Sequence, residues 1–265
     1  MIFYFSAEGD SRWVAMNLAS VLQDQLVSIP DVLGKEEHFH LERGERLGFA
    51  FPVHGWRPPL IVREFLKSLC IESEEKPFTY AVCTAGDTVG LTIEDLGKAI
   101  VSNKSMAALH VHQVDSAYSI LMPETYVGLP FMDIDTKEKE NKKKTEAKEM
   151  LKRIGEEIAE KKTGIFRLHK GHWPWINSQI LGSLFEKILI TDKPFRVISD
   201  RCIKCGICAQ VCPTADIIGG KGQEPVWRHN GSCLSCFNCY HHCPRHAIEY
   251  GSRTKHKGQY FFKSF

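Results

Sequence analysis

The sequence lacks any apolar run of the roughly 18–20 residues that a membrane-spanning helix needs. No basic segment precedes the apolar residues at its start, so it carries no secretory signal and we expect a cytoplasmic protein. The sequence also lacks an excess of charge of one sign. The net charge is +2 over 265 residues, which favours neither nucleic acid nor a membrane surface as a partner. With 43% apolar residues, disordered and fibrous classes are excluded.

Cysteine is scarce over the first two hundred residues and abundant after them. Only Cys70 and Cys83 lie in the first part, and we expect both to be small buried apolar side chains. The other eight of the ten cysteines lie between residues 202 and 243. In a reducing compartment such a group binds metal more often than it forms disulfides.

These eight cysteines form an internal repeat, C-x2-C-x2-C-x3-C-P, whose second copy begins 31 residues after the first. Three cysteines at this spacing bond three irons of one cubic cluster, and the fourth, a turn further on, reaches the other cluster. Zinc sites and disulfide frameworks do not have two tandem runs of this kind. The predicted ligands are Cys202, Cys205, Cys208 and Cys243 for cluster one, and Cys233, Cys236, Cys239 and Cys212 for cluster two.

Residues 200–250 therefore resemble a bacterial-type two-cluster ferredoxin. The resemblance implies a small α+β domain with two 4Fe–4S clusters that pass single electrons. From residue 200 onward there are nine Lys or Arg and four Asp or Glu, whereas many free ferredoxins are acidic. We therefore expect a docking surface that differs from theirs.

The first 115 residues alternate between predicted strands and helices. The strands are predicted at 2–6, 26–29, 47–51, 78–84 and 107–111, and the helices at 12–22, 59–69 and 92–100. This alternation predicts an α/β fold, a parallel sheet with helices on both faces. Because ligands bind beyond the carboxyl ends of such strands, the candidate site consists of the loops after the first, third and fourth strands.

The three loops have compositions that suit a nucleotide. Small hydroxyl residues and glycine at the start of a helix provide the donors and the close backbone approach that a phosphate needs. The other two loops contain glycine and an aromatic residue that suit a flat ring, on which Trp56 either stacks or simply packs as a strand-end aromatic. The candidate residues are Ser6, Glu8, Gly9, Asp10 and Ser11, then Pro52, Val53, His54, Gly55 and Trp56, then Thr84, Ala85, Gly86, Asp87 and Gly90.

This half of the chain resembles flavodoxin in the order of its elements and the positions of these loops. The resemblance implies FMN, with its phosphate at the first loop and its ring between the other two. The whole chain resembles the flavodoxin–ferredoxin fusion proteins of anaerobic bacteria and archaea. The predicted domains are a flavodoxin-like domain at 1–135, a helical connector at 136–196 and a ferredoxin domain at 197–265.

The first loop departs from the flavodoxin pattern, which has Thr-Gly-Asn-Thr where this chain has residues 8–11 as Glu-Gly-Asp-Ser. A carboxylate about 4 Å from a phosphate costs on the order of 4 kcal/mol per unit-charge pair at an effective dielectric of about 20. FMN binding is weakened unless Glu8 points outward. Asp10 has an alternative role as the N-cap of the following helix.

The predicted connector has two parts. Residues 136–162 form an amphipathic helix with an apolar stripe, and the acidic residues among its lysines indicate a solvated face rather than a nucleic-acid surface. Residues 176–190 form a second helix, which with Trp173 and Trp175 is expected to pack the two modules together.

Together these patterns predict electron transfer between FMN and two 4Fe–4S clusters on one chain, linking two-electron and one-electron partners. The partners would be redox proteins, namely ferredoxin- or flavodoxin-dependent oxidoreductases. Two alternatives stay open: a flavin-dependent reductase of a small molecule fed through the clusters, and a two-cluster ferredoxin with a flavin-free docking domain. No catalytic acid, base or nucleophile stands out, and the oligomeric state is left open.

Overall fold

Six parallel strands form the central sheet of the structure, a computed structural model that describes residues 1–263. Residues 264–265, the end of the predicted ferredoxin domain, lie outside the described residues. The strands are β1 (Ile2–Tyr4), β2 (Leu26–Ser28), β3 (His38–Leu41), β4 (Arg46–Pro52), β5 (Cys70–Ser73), β6 (Phe78–Ala85), β7 (Ser116–Leu121), β8 (Ile165–Arg167), β9 (Phe195–Val197), β10 (Ile217–Ile218), β11 (Val226–Trp227) and β12 (Ile248–Tyr250). The central sheet has the order β2-β1-β4-β6-β7-β8, with every pair parallel, while β3 and β5 form a small parallel pair of their own.

The helices lie on both faces of this sheet and continue into the C-terminal unit. They are α1 (Asp10–Leu22), α2 (Ile29–Val32), α3 (Leu60–Ser68), α4 (Thr92–Val101), α5 (Lys104–Ala108), α6 (Lys137–Ala159), α7 (Gly182–Leu184), α8 (Ile207–Gln210) and α9 (Asn238–His241). Two π-helical stretches, Ile176–Leu181 and Phe185–Leu189, flank α7. We call the continuous helical segment 176–189 the connector helix.

Apolar residues of the strands point to both faces, so the sheet is buried on both sides. On β4, Leu47, Phe49 and Phe51 pack against the core formed with α3, α4 and α5. On β6, Tyr80 and Val82 pack on the opposite face with α1 and α6. Strands covered on both faces need continuous apolar runs, which is what these two segments contain.

One predicted strand is wrong. Residues 107–111 end helix α5 and the turn after it, and the fifth strand of the sheet is β7. The Asn103 side chain accepts a hydrogen bond from the Met106 amide at 2.8 Å and caps the helix. A short apolar run does not distinguish strand from helix, and here the cap decides.

The two helices of the predicted connector have different roles. The apolar stripe of α6, Ala147, Leu151, Ile154 and Ile158, is buried in the core of the sheet, and the helix lies within the predicted bounds. The sixth strand, β8, also lies within the segment predicted as connector.

The connector helix contacts both modules, but the predicted tryptophan pair takes no part. Trp173 and Trp175 are 67% and 59% exposed, so the expectation that they pack the modules together is wrong. The contact with the sheet module comes instead from Ser178, whose hydroxyl donates to the Trp56 carbonyl at 2.9 Å. The contact with the C-terminal unit comes from the Leu189 carbonyl, which accepts a hydrogen bond from the Ser235 hydroxyl at 3.0 Å.

The C-terminal unit repeats its backbone as it repeats its sequence. Helices α8 and α9 occupy matched positions, and the residue before each has a left-handed backbone, Gly206 with φ 84° and Phe237 with φ 61°. Strand β9 pairs with β12 and β10 with β11, both antiparallel. Phe195 stacks on Trp227 in a small aromatic core. Within residues 1–263, no helix is long and apolar enough to cross a membrane.

Candidate cofactor sites

The eight repeat cysteines surround two separate cavities. Those predicted for cluster one, Cys202, Cys205, Cys208 and Cys243, line one cavity. Those predicted for cluster two, Cys212, Cys233, Cys236 and Cys239, line the other. In each cavity, three cysteines come from one copy of the repeat and the fourth from the other copy, which is the crossed pairing that the spacing predicts.

The donor set of each cavity fits an iron–sulfur cluster. All ten cysteines are free thiols. The four cysteines of each set line a cavity of their own. Backbone amides already donate to three of the sulfurs: Asp216 to Cys212 at 3.3 Å, Ala247 to Cys243 at 3.2 Å and Ser235 to Cys233 at 3.4 Å. Such amides stabilise negative charge on a ligating sulfur.

Burial keeps the thiols protonated until a metal centre replaces their protons. It raises the pKa of Cys208 to about 11 and that of Cys233 to about 12. The pKa values of Cys236 and Cys239 are also raised well above the ordinary value by burial. Cluster binding at these positions therefore releases protons, as expected for thiolate ligands.

A cavity of about 750 Å³, which we call the large cavity, lies at the carboxyl ends of β1, β4, β6 and β7. This volume is in the range of cofactor sites. Of the fifteen predicted ligand-binding residues, two do not line it. Gly9 lies under Phe262, and Gly90 packs against Trp56 and Ser178. The other thirteen line it: Ser6, Glu8, Asp10, Ser11, Pro52, Val53, His54, Gly55, Trp56, Thr84, Ala85, Gly86 and Asp87.

Trp56 is held at the cavity by a tight turn. His54 and Arg57 exchange two backbone hydrogen bonds, and the two residues between them both have positive φ, 54° at Gly55 and 58° at Trp56. These are the angles of a type I′ turn, in which a tryptophan at the second central position is strained. The indole nitrogen donates to the Thr88 hydroxyl at 2.9 Å, which fixes the ring orientation.

His54 is neutral in this environment, because burial lowers its pKa to about 4. Its ring meets Phe5 edge-to-face, with centroids 6.0 Å apart. The ring joins the apolar wall of the cavity.

The polar end of the cavity carries two carboxyl groups of unusual acidity. Burial raises the pKa of Glu8 to about 8, with the charges of Asp10 and Glu124 adding to the effect. Burial raises the pKa of Asp10 to about 7, although the Tyr260 hydroxyl donates a hydrogen bond to it at 2.7 Å. Asp10 is the first residue of α1, and its side chain does not cap the helix, so its predicted N-cap role is wrong.

Half of the cavity wall was missed by the sequence analysis. Because the fifth strand was placed too early, the loop that follows the true strand was not considered. The connector helix was treated only as packing, although its long apolar side chains face the cavity. The additional lining residues are Ala7, Thr88, Met122, Pro123, Glu124, Thr125, Tyr126, Leu129, Phe131, Met132, Leu181, Leu184, Phe185, Ile188, Leu189, Ser235 and Cys236.

The last two of these residues join the cavity to cluster two. Ser235 and Cys236 line the large cavity, and Cys236 also lines the cavity of cluster two. Leu234 and Cys236 pack against the core of the parallel sheet. The charge of Glu8 contributes to the raised pKa of the Cys236 thiol, which shows how close the polar end of the cavity lies to this sulfur.

Comparison with known proteins identifies the C-terminal unit. No curated protein matches the chain. Residues 195–257 match the 4Fe–4S dicluster domain family, which confirms the iron–sulfur character predicted from the cysteine repeat and indicates electron transfer by this part of the chain.

Proposed function

We propose that the protein is an electron-transfer protein in which FMN, bound in the large cavity, exchanges electrons with two 4Fe–4S clusters held by the eight repeat cysteines. A flavin supplies two electrons in single steps and each cluster supplies one. Redox proteins serve as donor and acceptor. Because both cofactors belong to one chain, transfer between them is intramolecular.

The observation that carries this proposal is the shared wall formed by Cys236. One cysteine lines both the cavity built from the predicted nucleotide loops and the cavity of cluster two. The two sites are therefore separated by little more than a side chain. Electron transfer needs such proximity, whereas a docking module without a redox ligand does not require the two sites to be close.

The strand order favours a flavodoxin-like fold. Counted within the central sheet alone, the strands run 2-1-3-4-5-6, and the order reverses between β1 and β4. Flavodoxin-like folds have the order 2-1-3-4-5 and bind their ligand at this reversal. The cavity lies beyond the carboxyl ends of both strands.

The residues of the large cavity fit the ring of a flavin. They fit its phosphate when Glu8 and Asp10 are neutral. Trp56, Phe185 and Tyr126 provide apolar surface, and the Ser6 and Ser11 hydroxyls lie at the start of α1. The lining also contains four carboxyl groups and no Lys or Arg: Glu8, Asp10, Asp87 and Glu124. A phosphate fits when the first two of these are neutral, and their raised pKa values allow this near pH 7.

The test is the content of iron, sulfide and FMN in anaerobically purified protein, followed by addition of FMN to any flavin-free fraction. We expect about eight irons and about one flavin per chain. Trp56→Ala should weaken FMN binding, and Trp56→Phe should restore part of it. Trp173→Ala is the matched control, because that indole is exposed and lies outside the cavity lining. Iron without flavin, and no flavin uptake, would refute the FMN part of the proposal.

A second candidate function, reduction of a small apolar molecule, is favoured by the rim of the cavity. Phe131 and Ile188 line the cavity and are 83% and 64% exposed. Large exposed apolar side chains beside a cavity are typical of a binding site. Turnover of an apolar quinone by the reduced protein, lowered by Phe131→Ser, would support this function. Electron transfer to proteins without quinone turnover would exclude it.

A further inference from the structure

The surface around Cys205 is open to solvent. Cys205 is the only exposed thiol of the ten in the described chain. Beside it, Ile203 is 58% exposed. Pro225 lines the same cavity, and the next residue, Val226, pairs with Ile218 across β10 and β11 with both side chains largely exposed. The cluster-one end of the molecule is thus an open apolar patch.

Three cations surround this patch. Lys204 and Arg245 line the cluster-one cavity, and Lys221 forms a backbone bridge with Cys205 beside it. All three are exposed, and the described lining of that cavity includes no carboxylate. The backbone holds two of them together, because Gly222 donates to the Lys204 carbonyl at 2.8 Å and Cys205 bridges to Lys221. The positive charge is therefore placed beside the exposed sulfur by the fold.

The second copy of the repeat, which supplies three ligands of cluster two, is covered by the sheet module, and Cys212 borders a groove between the two units. Leu234 and Cys236 are covered by the core of the parallel sheet, and Ser235 is tied to the end of the connector helix. In contrast, the cluster-one cavity is lined entirely by residues between 197 and 248. Cluster one therefore faces away from the large cavity and toward solvent.

We propose that the basic apolar face formed by Ile203, Lys204, Cys205, Lys221 and Arg245 is the docking surface for a redox protein that presents an acidic patch around its own centre. The inference rests on the proposed electron-transfer function but not on the identity of the flavin. In each encounter one electron passes between the two proteins, so that one is oxidised and the other reduced by one electron, and no bond forms or breaks. Opposite charges on the two faces speed the encounter, and the apolar centre excludes water once they meet.

The test uses the anaerobic, cluster-loaded full chain, reduced with dithionite and mixed by stopped flow with an acidic rubredoxin or a basic cytochrome c as acceptor. The reversal variant is Lys204→Glu/Lys221→Glu/Arg245→Glu. The matched control is Arg12→Glu/Lys35→Glu/Lys152→Glu, which changes net charge equally at exposed positions of the sheet module. Both proteins are first shown to contain about eight irons with unchanged cluster signals.

We expect the reversal variant to reduce rubredoxin about 10- to 100-fold more slowly at about 10 mM ionic strength, where screening is weak. The control should change that rate by about threefold or less, because its charges lie elsewhere. The reversal variant should reduce cytochrome c faster than the native chain does. At high salt the differences should disappear.

Three results would overturn the inference. Equal effects of the two variants would mean that net charge, not this face, guides docking, while electron transfer itself would stand. Unchanged rubredoxin rates, with sedimentation on phosphatidylglycerol vesicles lost only in the reversal variant, would assign the face to a lipid surface. Failure of the iron-loaded native chain to reduce either acceptor would refute the proposed function together with the docking face.

Discussion

Residues 202–213 and 233–244 have the same cysteine spacing and the same local backbone, yet they lie in different surroundings. Left-handed residues occur at matched positions, Lys204 with Ser235 and Ala215 with His246. In the first copy the left-handed loop residue is an exposed lysine. In the second copy it is a serine that is 3% exposed.

The difference indicates that the cysteine spacing determines the type of cluster, whereas the residues around each copy determine the environment of that cluster. Cluster one lies among cations and solvent, whereas the cluster-two cavity includes the buried carboxyl of Asp216 and no cation in its described lining. Positive charge and solvent favour the more negative, reduced form of a cluster, and burial near a carboxylate opposes it. We therefore predict two clusters of unequal potential, with the lower potential at the cluster beside the large cavity.

The largest expected effect separates the two copies by removing one ligand from each. Cys205→Ala and Cys236→Ala should each lower the iron content from about eight to about four per chain. Only Cys236→Ala should also weaken FMN binding, because only that residue lines the large cavity. Iron analysis and fluorescence titration with FMN measure the two effects. Equal FMN affinities in both variants would contradict the shared wall.

The next effect concerns Glu8, which lines the large cavity. With a pKa of about 8, Glu8 is neutral below that value and charged above it, so FMN affinity should fall as pH rises through 8. Glu8→Gln removes the repulsion, which is on the order of 4 kcal/mol before relaxation, and should tighten FMN binding at pH 9 by about tenfold or more. Titration by fluorescence checks this.

Riboflavin is the control ligand, because it has the ring of FMN without the phosphate. Its affinity should change little between pH 6 and pH 9, and little in Glu8→Gln. A parallel loss of riboflavin and FMN affinity at high pH would show that Glu8 acts on the ring or on the fold rather than on the phosphate.

A smaller effect, on the free energy of unfolding, is expected when the matched loop residues Ser235 and Lys204 are each replaced. The Ser235 hydroxyl accepts from the Thr191 amide at 2.8 Å and faces the Leu189 carbonyl at 3.0 Å. Ser235→Ala should lower the free energy of unfolding by about 1–3 kcal/mol, because a buried amide loses its partner. Lys204→Ala should change it by about 0.5 kcal/mol or less. Chemical denaturation of the cluster-loaded protein measures both, and equal losses would contradict the difference in surroundings.

The smallest expected effect is on the potentials. Lys221→Gln should lower the potential of cluster one, and Asp216→Asn should raise that of cluster two, each on the order of tens of millivolts. The difference in potential between the two clusters should then be smaller in both variants than in the native chain. A redox titration followed by electron paramagnetic resonance resolves the two steps. Native clusters with equal potentials, or with cluster two the higher, would refute the predicted order.

Local patterns predicted the parts of the fold that depend on neighbours in sequence. The α/β alternation, the first four strands of the sheet and the apolar stripe of α6 follow from periodicity, which acts over a few residues. The strand expected at 107–111 was wrong because the capping side chain of Asn103 outweighs a short apolar run. Trp173 and Trp175 were expected at the interface between the modules, yet they are exposed, and the connector helix contacts the C-terminal unit through the Leu189 carbonyl.

The sequence by itself determined the iron–sulfur character, because cluster ligation depends on cysteine spacing within one short loop, and spacing is a property of the chain. The tertiary structure alone decided that Cys236 borders the large cavity, that the connector helix forms its wall, and that Lys204 and Lys221 lie beside the exposed Cys205. Each of these depends on contacts between residues that are distant in sequence. Burial, charge and proximity arise from such contacts, and they decide which of two identical motifs faces the cavity and which faces a partner.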